Sequence, residues 1–259
     1  MKKLNEVSGG RWGVLLLYFA TIIVNFISQA IPFNGQTNGE VSDKYSTLIT
    51  PADYAFSIWG LIYLTLGIYV FYQAFWAASN KRLYDQLAPW LMVSFVATSA
   101  WLPAFQYELI ALSVIIMLII LGSLIQLSIM ITQEAELPRQ EKAWARIPIG
   151  MYLGWISVAT IVNISVLAKY GGWYLLEVSE ANWLLIMIVV GFLLAVLVTW
   201  ATHNLVYALV FVWAFVAIAV RHYDENTILQ FAMGAAITLL IVDLAFFLKQ
   251  FRKGKVMAS

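Results

Sequence analysis

Residues 183–220 read WLLIMIVVGFLLAVLVTWATHNLVYALVFVWAFVAIAV, a run without a single Asp, Glu, Lys or Arg. At about 1.5 Å per residue an unbroken helix over this run would be about 57 Å long, nearly twice the roughly 30 Å hydrocarbon core of a bilayer. The polar tetrad Ala201, Thr202, His203 and Asn204 in its middle predicts instead a hairpin of two spans, 183–201 and 204–220. A fused helix is the alternative, and the charge pattern below decides against it.

Outward from this run the chain keeps the same character. Of its 259 residues 62% are apolar and 11% charged, against about 45–50% and about 25% in soluble domains. Most of its surface must therefore face lipid. Further apolar runs lie at 13–31, 55–78, 88–105, 109–131, 147–168 and 228–248, each near the length that a membrane helix needs. The expected fold is an all-α integral membrane protein of eight transmembrane helices.

Charge tests the count independently, because basic residues collect on the cytoplasmic side. With eight spans and the amino terminus inside, Lys2, Lys3, Arg11, Lys81, Arg82, Arg139, Lys142, Arg146, Lys249, Arg252, Lys253 and Lys255 are cytoplasmic, and of the 15 Lys and Arg only Lys44, Lys169 and Arg221 lie outside. A seven-span chain would export the basic tail. Both termini are thus expected in the cytoplasm, and a bacterial chain of this kind belongs in the inner membrane. The positively charged start and apolar first run look like a signal peptide, but the run is long and no small-x-small site follows, so a retained span is expected.

The same composition excludes whole classes. A net charge of +1 offers no basic stripe for nucleic acid. Zero Cys removes thiolate chemistry and disulfides, and two His residues leave no His-rich metal centre. No phosphate loop, HExxH or Gly-x-Ser-x-Gly turn is present, so no catalytic residue and no cofactor is assigned.

The longest polar connection, 32–53, reads PFNGQTNGEVSDKYSTLITPAD. Its Asn, Gly, Ser and Thr favour turns, and its length fits either a lid or binding loop or a solvated connector. It leads into PADYAFSIWGLIYLTLG at 51–67, where Tyr54, Trp59 and Tyr63 are large aromatics on neighbouring turns. By spacing alone they form an interfacial belt or a binding wall.

Three segments together resemble the TspO or translocator proteins, also called tryptophan-rich sensory proteins. Pro51, Tyr54, Phe56, Trp59, Tyr63 and Gly67 are similar to that family's Pro-rich start of the second helix with its Trp, Phe, Trp, Tyr and Gly. Thr98, Trp101 and Phe105 resemble its Asn-x-x-Trp and Phe in the third helix, and Tyr152, Leu153, Trp155, Ala159 and Asn163 its PYLxWxxxAxxLN in the fifth. Ala52, Tyr54, Thr98 and Met151 depart from the family's Pro, Trp, Asn and Pro.

The resemblance implies a five-helix membrane bundle over 1–170, with 171–259 as three additional spans in the manner of the longer bacterial forms. It also implies a receptor or carrier with a pocket beneath the first outer loop for a flat hydrophobic ligand, porphyrin-, sterol- or lipid-like. The ligand-binding residues so implied are Tyr54, Phe56, Trp59, Tyr63, Thr98, Trp101, Tyr152, Trp155 and Asn163. Indole and phenol faces stack on planar ligands, while O–H, N–H and amide groups orient a polar edge.

Other signals stand apart from that pattern. Asp243 is the one clear ionisable group inside a span, where burial costs about 2.5–3.5 kcal/mol on insertion scales. It motivates a proton or cation role, and with it an alternative function as an ion-coupled secondary transporter. A membrane enzyme that modifies porphyrins is a third alternative, without a positioned nucleophile to support it. His203 is either a titrating group or a turn residue, and Asn163 also suits hydrogen bonding between helices. Gly150 and Gly154 form a small-xxx-small pair serving either packing within the chain or a homodimer.

Overall fold

The computed structural model describes residues 9–76, 81–134, 139–172 and 179–256, and every regular element among them is helical. Helix α1 is Gly9–Ala30, α2 the short Asn38–Lys44, α3 Ile58–Phe75, α4 Lys81–Gln106 and α5 Ile110–Gln133. Helix α6 is Arg139–Tyr170, α7 Glu180–Thr202, α8 Leu205–Arg221 and α9 Asn226–Val256, and a 3-10 turn at Asp53–Ser57 precedes α3. Among the described residues seven helices are long and apolar enough to cross a membrane, and α8 is a shorter apolar helix of 17 residues. Lys2 and Lys3, counted above for the charge pattern, lie outside the described residues.

The 183–220 run is broken where the tetrad predicts. Helix α7 ends at Thr202, and His203 takes the left-handed conformation with φ 53° while Asn204 is extended, which turns the chain. Gly191 of α7 faces Phe211 and Phe215 of α8, so the two helices run antiparallel. The buried residues of α7 form a stripe, Leu184, Ile188, Gly191, Ala195 and Thr199, at helical spacing. Leu193, Leu197 and Trp200 on its other side are exposed, as suits a face turned to lipid.

Packing closes the first five long helices into a ring, with α1 against α3 and α4, α4 against α5, α5 against α6, and α6 against α3. Helix α8 lies against the outside of α6 and packs with α7 and α9. Gly150 and Gly154 make that approach close. A Cβ at position 150 would run into the Asn204 side chain, and one at 154 would come within 2.9 Å of Val210 Cβ. The glycine pair is therefore used within the chain. Asn204 Nδ2 donates to the Arg146 carbonyl at 2.7 Å, and Tyr207 donates to Ser157 Oγ at 3.0 Å, so α8 runs parallel to α6.

At its far end α8 reaches the 32–53 loop and the 3-10 turn. Ala52 N–H donates to the Ala217 carbonyl at 3.1 Å, Trp213 Nε1 to the Ala55 carbonyl at 3.1 Å, and Arg221 Nη1 to the Pro51 carbonyl at 3.1 Å. The opposite end of the ring is closed by Arg11, which is buried. Its Nε lies 2.9 Å from Asp85 Oδ1 and its guanidinium sits 5.4 Å from the Tyr84 ring centroid. A buried charge needs such partners to offset its desolvation.

Candidate ligand-binding cavity

Beneath the 32–53 loop, and inside the five-helix ring, lies a cavity of about 520 Å³. That volume falls in the range of small-molecule sites, roughly 300–1,000 Å³. Its floor and walls are apolar and aromatic. Phe56 comes from the 3-10 turn, Trp59 from α3, Trp101, Leu102 and Phe105 from α4, Met117 from α5, and Trp155, Val158, Ala159, Val162 and Val166 from α6. Its upper rim is polar, with Asn25 and Gln29 of α1 and Thr37, Asn38, Gly39, Glu40, Ser42, Asp43 and Asp53 of the loop.

Six of the nine residues singled out from the sequence, Phe56, Trp59, Thr98, Trp101, Trp155 and Asn163, line this space. The other three do not line it. Tyr63 lies one helical turn from Trp59 and stacks on it, centroids 5.4 Å apart. Tyr152 is buried, bonds its hydroxyl to Thr98 Oγ1 and sets its ring edge-on to Trp59 at 5.8 Å. These two hold Trp59 from behind. Tyr54 turns the other way, against Trp213 of α8 at 5.2 Å, because the 3-10 turn breaks the helical register assumed from Pro51 onward.

Three of the polar side chains deep in the walls, Trp101, Asn163 and Thr98, bond within the protein. Trp101 Nε1 donates to Asn163 Oδ1 at 3.1 Å, Asn163 Nδ2 donates to Ser113 Oγ at 3.1 Å, and Thr98 donates to the Ser94 carbonyl at 2.8 Å. Phe105 stacks on Trp101 at 4.8 Å, and Phe56 is edge-on to Trp155 at 5.9 Å. The interior consequently presents ring faces, that of Trp101 fixed by a hydrogen bond and the others set by ring contacts. Such a surface suits a flat apolar body.

The rim is organised by a helix that the loop's composition did not announce. Thr37 accepts from Glu40 N–H through Oγ1 at 3.3 Å, and Glu40 Oε2 accepts from Thr37 N–H at 2.6 Å. This capping box starts α2. The bond from the Thr37 backbone, and then one of 2.9 Å from its hydroxyl to Glu40 Oε2, hold the Glu40 carboxyl below its usual range. The signal was present as Thr-Asn-Gly-Glu at 37–40.

Glu108, between α4 and α5, anchors this loop. It accepts from Lys44 Nζ at 2.6 Å, from Gln36 Nε2 at 2.6 Å and from the Tyr45 hydroxyl. Those donors, Lys44 first, lower its pKa to about 2. Gln106 adds a second fastening, accepting from Phe33 N–H at 2.8 Å. The 32–53 segment is thus tied down over the cavity, which favours the lid reading over that of a loose connector.

Asp243 lies on α9, away from this cavity. It is buried, and its Oδ1 has no hydrogen-bond partner, as is also true of Thr199 Oγ1 on α7. Stacking of His203 on Phe246, with ring centroids 5.8 Å apart, places residues 199 and 243 at a similar depth on two packed helices. His203 itself serves as the turn residue. Among the described residues no group of three or more His, Cys, Asp or Glu is placed to hold a metal.

Comparison with known families matches residues 11–246 to the family described as TSPO-like protein. No curated protein and no solved structure matches the chain.

Proposed function

The chain belongs to the TSPO-like protein family, and from that premise we propose that it is a membrane receptor or carrier for a flat hydrophobic small molecule, held in the cavity under the 32–53 loop. The carrying observation is the conjunction of about 520 Å³ of space with the rings of Phe56, Trp59, Trp101, Phe105 and Trp155 around it. Asn163 holds Trp101 by a hydrogen bond, and Tyr63 and Tyr152, the latter bonded to Thr98, brace Trp59. A porphyrin- or sterol-like body matches such walls in shape.

The protein is an integral membrane protein, and eight spans with both termini in the cytoplasm of a bacterial inner membrane is the topology we infer. Helix α8 reaches from the Arg146 carbonyl to the Pro51 carbonyl, the two ends between which α6 runs. Its 17 residues at 1.5 Å rise cover about 25 Å, close to a hydrocarbon core. Residues 1–170 then carry the ligand, and 171–259 buttress them.

Titration with a neutral polycyclic fluorophore, pyrenemethanol, in phospholipid nanodiscs tests the site through quenching of Trp fluorescence. Saturable quenching is expected, with its amplitude reduced when Trp59→Phe and Trp155→Phe are combined and its affinity lowered at least tenfold by Ala159→Phe, which puts a ring into the cavity. Quenching indifferent to all three substitutions would remove the assignment.

A second reading is favoured by one observation, the buried and unpartnered Asp243 Oδ1. In it the protein couples ligand movement to protons or cations through Asp243. Uptake into proteoliposomes that responds neither to ion gradients nor to Asp243→Asn would dispose of this coupling.

A further inference from the structure

The charge around the cavity is of one sign. Glu40, Asp43 and Asp53 line its rim, and among the described residues no Lys, Arg or His does. The neighbouring basic groups are committed elsewhere, Lys44 to Glu108 at 2.6 Å and Lys169 to Glu180 at 3.3 Å. Among the described basic residues Arg221 alone pairs with the rim carboxylates, with Nη2 3.0 Å from Asp43 Oδ1 and Nη1 3.6 Å from Asp53 Oδ1. One guanidinium against three carboxylates leaves two negative charges in excess. Glu40 keeps Oε1 out of its capping box, since the bonds from the Thr37 N–H and hydroxyl both go to Oε2.

The depth of the cavity works in the same direction. The side-chain acceptors in its depth are taken, Asn163 Oδ1 by Trp101 and Ser113 and the Thr98 hydroxyl by its bonds to Ser94 and Tyr152, so a hydrogen-bond-donating head gains little there. Asn38, whose Oδ1 is without a partner, stands with the carboxylates at the rim. A flat body among the indoles would therefore carry its head upward, toward acceptors. A ring bearing carboxylates, as porphyrins do, would bring like charge to like.

We propose that the cavity selects amphipathic cations: a flat apolar ring system carrying an ammonium or other cationic head that lies among Glu40, Asp43 and Asp53, in preference to the neutral or carboxylate-bearing ring of the same shape. The proposal rests on the cavity being the ligand site, as argued above, and narrows the ligand class.

The test is a matched series of one ring with three heads, pyrenemethylammonium, pyrenemethanol and pyrenebutyrate. Each is titrated into the full-length protein in phosphatidylcholine nanodiscs, with protein-free nanodiscs to subtract partitioning. Two excess charges about 8 Å from a cationic head in a water-like dielectric correspond to an affinity advantage of about fivefold over the neutral probe at low salt. The advantage should shrink as salt is raised, and the anion should bind more weakly than the alcohol. Combining Glu40→Gln, which preserves the capping box, with Asp53→Asn should bring the cation to within about twofold of the neutral probe measured in the same variant. Saturable binding of all three without a cation preference would overturn the proposal and leave the cavity reading intact. No saturable binding of any probe would overturn both.

Discussion

Replacing the helical glycines one at a time by alanine separates those that admit a neighbouring helix from those that merely occupy a turn. In a helix interior Ala is favoured over Gly by about 0.8–1.0 kcal/mol. At Gly122 of α5 and Gly234 of α9 nothing lies within 4 Å of the added methyl, so the full gain is expected. At Gly154 the methyl would lie 2.9 Å from Val210 Cβ and 3.1 Å from the Tyr207 carbonyl oxygen, a backbone atom that cannot swing aside. Overpacking of this kind costs about 1–3 kcal/mol, which outweighs the gain by up to about 2 kcal/mol. Gly150→Ala should fall between the two, because Asn204 can rotate away at the cost of its bond to the Arg146 carbonyl, about 0.5–1.5 kcal/mol. At about 2–4 °C per kcal/mol for a chain of this size, the overpacking cost of about 1–3 kcal/mol should separate the melting midpoints of Gly122→Ala and Gly154→Ala by about 2–12 °C. Thermal unfolding in detergent, followed by the fluorescence of the 11 Trp residues, reads this directly. If Gly154→Ala melts at or above Gly122→Ala, α8 does not pack on α6 as described.

The loop anchor predicts an acid dependence. The Glu108 pKa falls from 4.5 to about 2 in the folded chain, so the contacts of its carboxylate are fully stabilising above about pH 4.5 and are lost as the pH drops toward 2. Hydrogen exchange of the 36–45 amides, corrected for its intrinsic pH dependence, should quicken across that window, and in Glu108→Gln it should already be fast at pH 4.5 and flat below. Trp101→Phe keeps the stack on Phe105 but removes the donor to Asn163 Oδ1, which retains Ser113 Oγ at 3.3 Å. A loss of about 1 kcal/mol in thermal stability is expected, and no loss would mean that the bond is not formed. Trp213→Phe likewise removes one of two donors to the Ala55 carbonyl, Ile58 N–H remaining, so global stability should fall by about 1 kcal/mol or less. Its clearer effect should be faster exchange at residues 55–58, and unchanged exchange there would disprove the brace.

Much of this was legible because membrane sequences state their constraints openly. An uncharged run too long for one span has to fold back, and the only polar tetrad in it marks the place. The aromatic positions of α4 and α6 were legible for the same reason: Trp101, Trp155 and Asn163 sit on regular helices, where spacing fixes the face. Depth on a face is harder to read. Trp59 and Tyr63 share one face of α3, but only the residue nearer the mouth reaches the cavity. Tyr54 escaped because a 3-10 turn advances each residue by a larger angle than an α-helix, which rotates it toward α8. The charge at the rim escaped for another reason. Glu40, Asp43 and Asp53 in the 32–53 loop are unremarkable in sequence, and only a helix started by a capping box brings them to one opening.

The clasp between the 3-10 turn and α8 also orders events during synthesis. The bonds that hold this turn span 158 residues from Ala55 to Trp213 and 170 from Pro51 to Arg221. At about 5–20 residues per second a ribosome needs roughly 8–35 s to make that stretch. Over the last 43 residues of that stretch, from the end of α6 at Tyr170 to Trp213, about 2–9 s, α1 to α6 are complete while the 3-10 turn beside the cavity still lacks its partners on α8.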